Sequence, residues 1–159
     1  MITHNPTTIT AQPGTPFLDI EREFDATPAQ LFRAYTDPEL ITQWLGPRRL
    51  TMELLEFEPR PGGRYRYVHR GAGVEAYFNG VYHTVTQDER IIQTFEYEGA
   101  PGEVCLESVT FESHDGGTRM RSHSVFPSVE SRDMAVASGM ETGIIEGYER
   151  LDELDLGAR

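Results

Sequence analysis

Apolar residues first recur at every second position. From Phe17 to Phe24, Leu18, Ile20 and Phe24 share one parity while Asp19, Glu21 and Glu23 share the other, which is the period of a half-buried strand. The period then lengthens. Thr27-Pro28 supplies an N-cap and a proline at the first helical position, and Leu31, Phe32 and Tyr35 give the helix its apolar side. Asp37-Pro38 starts a second short helix that ends at Trp44-Leu45, where Gly46-Pro47 stops it. Strand patterning returns in Thr51 to Glu58, Arg64 to Arg70, Glu75 to Thr86, Arg90 to Glu98, Glu103 to Glu112 and Thr118 to Phe126. The connections, Pro59 to Gly63, Gly71 to Gly73, Gln87-Asp88, Gly99 to Gly102 and Asp115-Gly116-Gly117, carry turn residues. Connections this short predict antiparallel pairing.

A last helical pattern begins near Ser131. Ser138 and Glu141 have the spacing of a capping box, so the main helix is expected to start there. Met140, Ile144, Tyr148, Leu151 and Leu154 form its apolar stripe, and Gly157 ends it. Gly139, Gly143 and Gly147 recur at i, i+4 and i+8 and share a face. Each lowers helix propensity by roughly 1 kcal/mol relative to Ala. A helix that keeps three of them needs a bare surface where a sheet, a ligand or a partner comes close. The expected contact is its own sheet, and the alternative is a partner helix in a homodimer. The predicted fold class is α+β: a curved antiparallel sheet of about seven strands wrapped on a long C-terminal helix, with two short helices after the first strand.

Composition narrows the function classes. The 159 residues fit one domain, read as 17–156 after a polar, proline-containing flexible tail, Met1 to Pro16. That tail lacks a signal-peptide pattern, and the mean hydropathy is −0.47. The chain is therefore expected in the cytoplasm, with no membrane insertion. The single cysteine, Cys105, forms no intrachain disulfide. A net charge of −12 argues against nucleic acid as a partner. All 14 basic residues are arginine, so Schiff-base and lysine-nucleophile chemistry are excluded. His4, His69, His83, His114 and His123 are scattered and lack metal-ligand spacing. No phosphate loop or nucleophile elbow is present, and neither a catalytic residue nor a cofactor is assigned.

Strand parity proposes an interior wall. Tyr65, Tyr67 and His69 lie opposite Arg64, Arg66 and Arg70 and are expected to point inward. Phe78 and Tyr82 share a face, as do Phe95 and Ile91, Glu107 and Phe111, and Met120 and Phe126. The helix offers Met140 and Ile144, and Trp44 serves either as a packing anchor or as a lid. Arg22 and Glu107 take the parity of apolar neighbours. A buried charge needs a partner, so they pair with each other or with other charges, or Arg22 binds a ligand carboxylate. His69 beside Tyr67 offers a general acid-base, though a lone strand histidine is more often simply hydrogen-bonded.

An ordered set of strings carries a resemblance. It comprises Arg22-Glu23-Phe24-Asp25-Ala26, Thr36-Asp37-Pro38-Glu39, Trp44-Leu45-Gly46-Pro47, Arg60-Pro61-Gly62-Gly63, Gly80-Val81-Tyr82, Asp88-Glu89-Arg90-Ile91 and Ser138-Gly139-Met140-Glu141-Thr142-Gly143. From about Phe17 to Leu154 the chain resembles the SRPBCC superfamily, within it the branch similar to the C-terminal domain of the activator of heat-shock protein 90 ATPase. It departs from that branch at Leu45, Glu58 and Thr86-Gln87. The resemblance implies a helix-grip (START/Bet v 1-like) fold with space between sheet and helix. Joined to the aromatic inner faces, it implies binding of a small hydrophobic or aromatic molecule. The expected ligand-cavity residues are Arg22, Trp44, Tyr65, Tyr67, His69, Phe78, Tyr82, Phe95, Glu107, Phe111, Met120, Met140 and Ile144. Two other functions stay open: a polyketide cyclase or aromatase-like enzyme, and a stress-response or chaperone-associated interaction protein.

Overall fold

The computed structural model describes residues 5–157. Its strands are β1 Thr7–Thr10, β2 Phe17–Phe24, β3 Thr51–Phe57, β4 Arg64–Gly71, β5 Val74–Thr86, β6 Arg90–Tyr97, β7 Cys105–His114 and β8 Gly117–Val125. They form one antiparallel sheet in the order β1-β2-β8-β7-β6-β5-β4-β3. The sheet is curved and does not close. The helices are α1 Pro28–Thr36 and α2 Pro38–Trp44, between β2 and β3, and α3 Val129–Ala137 and α4 Met140–Asp152 after β8. The pair α1–α2 thus carries the chain from one side of the sheet to its far edge. This is the helix-grip arrangement.

Local chemistry sets the helix starts. Thr27 and Gln30 form a full capping box at α1, with Thr27 Oγ1 accepting from the Gln30 N–H at 3.2 Å. Asp37 ends α1 and caps α2, its Oδ1 accepting from the Glu39 N–H at 2.9 Å. Register shifts at Leu54/Glu56 and at Tyr82/Thr84 interrupt the ladders of β3 and β5, and such irregularities bend a strand. The core lies between the sheet and the helices. Leu31, Ala34, Leu40, Trp44, Phe24, Met120, Tyr148 and Leu151 are buried there.

Three expectations are corrected. The segment read as a flexible tail contributes β1, whose Ile9 pairs with Ile20. Its alternation is too short and too threonine-rich to register as a strand from periodicity alone; Met1 to His4 lie outside the described residues. The C-terminal helical run is two helices. Ser138 closes α3, and Gly139, with φ of +86°, begins α4 without a side-chain cap. The Ser138–Glu141 spacing is therefore a helix break and not a capping box. The glycine face meets the chain after α2 and not the sheet. A Cβ at Gly147 would lie 3.1 Å from the Trp44 carbonyl oxygen, and one at Gly143 would lie 3.4 Å from Pro47 Cδ. Nothing lies near Gly139.

Candidate functional site

Glu107 sits near the middle of the sheet, on the face turned toward α4. Register sets its row: Leu18 on β2, Ser124 on β8, Glu107 on β7, Gln93 on β6 and Tyr82 on β5. The Gln93 amide binds the row together. Its Nε2 donates to Glu107 Oε1 at 3.3 Å and to the Tyr65 hydroxyl at 3.3 Å. The Tyr65 hydroxyl in turn donates to the Thr94 carbonyl at 2.6 Å. Glu107 Oε2 has no hydrogen-bond partner among the described residues. No arginine or histidine there lies within ion-pair distance of Glu107.

The surroundings of this carboxyl are aromatic. The charge of Glu107 is felt by Tyr35 on α1, Tyr65 and Tyr67 on β4, and Tyr148 on α4. Burial raises all four phenols, and the Glu107 charge raises them further. Burial also pushes the Cys105 thiol up, so Cys105 is a poor nucleophile. The Glu107 carboxyl itself is pushed up to about 7 by burial, with the Gln93 hydrogen bond acting against the rise. Near neutral pH it is present in both charge states, as general acid-base groups are.

A ladder of rings continues the wall. Tyr65 stacks with Tyr67 at 6.2 Å, Tyr67 with Phe78 at 5.1 Å, and Phe78 with Phe95 at 5.4 Å between centroids. Gly80 makes this possible. A Cβ there would lie 2.5 Å from the Tyr65 hydroxyl and 2.1 Å from the Thr94 carbonyl oxygen, so only glycine lets the Tyr65 ring cross β5 to reach that carbonyl. Tyr65, Tyr67, Tyr82, Phe111 and Met120 are buried, while Phe78, Phe95, Glu107, Met140 and Ile144 are half-buried. Of these, Ile144 packs against the core, and Phe78 and Phe95 do likewise.

Three expected site residues are engaged elsewhere. Arg22 is 1% exposed and forms a two-pronged pair with Asp152 of α4, at 3.0 and 2.6 Å. Its guanidinium also lies 4.5 Å from the centre of the Phe24 ring. Pairing between Arg22 and Glu107 is thereby overturned: Arg22 fastens α4 to β2. His69 Nε2 bonds the Leu45 carbonyl at 3.1 Å, and the ring packs under Gly46. Burial lowers its basicity. It holds the loop after α2. Trp44 is an anchor, its Nε1 donating to the Ala34 carbonyl at 2.9 Å and its ring beside Tyr35 and Tyr148. Gln93, Tyr35 and Tyr148 were absent from the expected site. Gln93 was legible, since it shares parity with Ile91 and Phe95. The two tyrosines read as ordinary helix stripes.

Two shallow surface depressions lie apart from this cluster. One, of about 390 Å³, runs between Ala11, Pro13 and Gly14 and α3 residues Arg132, Asp133, Val136 and Ala137. The other, of about 200 Å³, lies around Glu23–Asp25 and His114–Gly117. Arg132, the buried polar side chain of the first, is consumed by Gln12 O, Phe17 O and Asp133. Neither depression offers an unused buried polar group, so the inner-face cluster is the candidate site. Among the described residues no group of three His, Cys, Asp or Glu side chains is placed to hold a metal, and no helix is long and apolar enough to cross a membrane.

Comparison with known proteins follows the same fold. A structure of a Rhodobacter sphaeroides protein is 32% identical, with a TM-score of 0.83 over 92% of this chain and 96% of that one. A protein from Arthrobacter aurescens is 25% identical, covering 91% of this chain and 88% of its own, with a TM-score of 0.83. Protein Ms6760 from Mycobacterium smegmatis shares the fold at 23% identity and a TM-score of 0.87, over 97% and 99% of the two chains. No match is found among curated proteins. Residues 25–154 match the family described as Activator of Hsp90 ATPase homolog 1-like protein, and the chain belongs to that family.

Proposed function

We propose that this chain holds a small hydrophobic or aromatic molecule between the inner face of the sheet and α4. One observation carries the reading. Glu107, Gln93, Val109 and Phe95 lie on the interior parity of central strands, yet each keeps part of its surface accessible. A close-packed core seals such positions, and an aromatic wall with a few converging polar groups is how small-molecule sites are built. Native mass spectrometry of protein purified from its own host tests it. The expected result is an added mass that disappears on denaturation. A crystal structure with a filled, dry interior, together with failure to titrate any hydrophobic ligand, overturns it.

A second reading has its own support. Glu107, Gln93 and Tyr65 form a hydrogen-bonded chain, and a carboxyl near 7 can both give and take a proton. A cyclase or aromatase-like activity on a bound polyketide-type chain uses such a relay. It requires turnover that Glu107→Gln abolishes while the same ligand still binds.

A further inference from the structure

Among the described residues, the basic side chains of the inner face are already engaged. Arg22 gives both terminal nitrogens to Asp152, and its unpartnered Nε is sealed from solvent. His69 is spent on the Leu45 carbonyl. The Gln93 amide is spent on Tyr65 and Glu107, and the Tyr65 hydroxyl proton goes to Thr94 O. What remains without an ionic partner is a carboxylate oxygen. Glu107 Oε2 is unpartnered among the described residues, and it is not one of the sealed unpartnered atoms found there. Around it stand rings, which stabilise positive charge over their faces.

We infer that this site selects ligands that carry a protonated amine on an aromatic or cyclic hydrocarbon frame, with Glu107 Oε2 as the counter-ion and the Tyr65–Tyr67–Phe78–Phe95 ladder as the wall for the frame. The inference rests on the binding reading above and names the ligand class of the same site. A carboxylate ligand meets Glu107 as a like charge with no free cation to offset it. A neutral alcohol gains the wall but not the ion pair. A protonated amine gains both, and it gives Glu107 Oε2 the cationic partner that no described residue supplies. The groups that face Glu107 are Gln93 on β6, Ser124 on β8, Tyr65 and Tyr67 on β4, Tyr35 on α1, Tyr148 on α4 and Cys105 on its own strand. None is cationic, and the phenols and thiol stay neutral through pH 8.5. Only the ionisation of Glu107 then changes with pH, and amine affinity rises as that carboxyl deprotonates.

The test is a calorimetric titration of the full chain with three matched probes: 2-(2-naphthyl)ethylamine, 2-(2-naphthyl)ethanol and 2-naphthylacetate. The amine is expected to bind at least tenfold more tightly than the alcohol at pH 8, and the acetate more weakly than both. Its affinity is expected to rise about tenfold between pH 6 and pH 8, the change in ionised fraction of an acid near 7. Glu107→Gln is expected to bring amine and alcohol to within a factor of about two and to flatten the pH profile. Equal or tighter binding of the alcohol or the acetate by the unaltered chain overturns the inference while leaving the binding site intact, as does an amine preference that survives Glu107→Gln. If none of the probes binds, the site reading falls and the inference falls with it. Because the three-probe comparison and its pH profile use the unaltered chain, they decide the matter even if the variant fails to fold.

Discussion

Glu107 is the residue whose energetics separate a site from a core. Its carboxyl rises from 4.5 in the free acid to about 7 in the fold. Between those values the folded state binds more protons than the unfolded state, so stability falls as pH rises from about 4.5 through 7 and then levels off. The shift corresponds to about 3 kcal/mol of stability forgone above pH 7. Glu107→Gln keeps the shape and cannot ionise. Urea denaturation is expected to show the variant more stable than the parent at pH 8.5, with the gain vanishing at pH 4.5; a gain independent of pH contradicts the assignment. Gly80 supports the same site from below. Gly80→Ala drives a methyl into Tyr65 and the Thr94 carbonyl, and overpacking of this kind costs about 3 kcal/mol, read as a lower denaturation midpoint. Parity alone placed Glu107 and Tyr65 inside. It could not say what Glu107 meets, because the Gln93 bridge depends on the register between β6 and β7. It also left Arg22 open, since the partner, Asp152, lies 130 residues away in sequence.

Among the elements, α4 shows how a sequence signal can be right in kind and wrong in target. The glycine spacing does mark a close approach, but the neighbour is the Trp44–Pro47 segment. The two helical glycines are therefore unequal. At Gly143 a methyl meets only Pro47 Cδ at 3.4 Å, so Gly143→Ala is expected to stabilise the protein by about 0.5–1 kcal/mol through helix propensity. At Gly147 the neighbour is backbone at 3.1 Å, and Gly147→Ala is expected to destabilise by about 1 kcal/mol. Thermal denaturation of both variants checks this; equal effects contradict it. The far end of α4 depends on Arg22. Asp152→Asn leaves a buried guanidinium without its anion and is expected to cost about 3 kcal/mol, whereas Arg22→Met with Asp152→Leu recovers most of the loss. The succession of strands β2 to β8 along the chain and the α1–α2 insertion were legible because capping residues, prolines and turn glycines fix them locally. The start of α4 near Ser138 was legible as well, but not that Gly139 rather than Ser138 caps it or that residues 129–137 form a helix of their own.

For the whole molecule, the fold reads from sequence far better than the function does. Seven of the eight strands, β2 to β8, follow from ordered local signals, and the family from a match over residues 25–154. The site follows only from which inner-face groups are left over once Arg22, His69 and Gln93 have found partners. That is a property of the assembled sheet and helices. The central claim is that a ligand enters between them. Methyl NMR of the full chain, titrated with 2-(2-naphthyl)ethylamine, addresses it most directly. The account predicts saturating shifts of the Ile91, Val109 and Ile144 methyls with a single dissociation constant. Shifts confined to Met134 and Val136 on α3, or no saturable shift anywhere, contradict it.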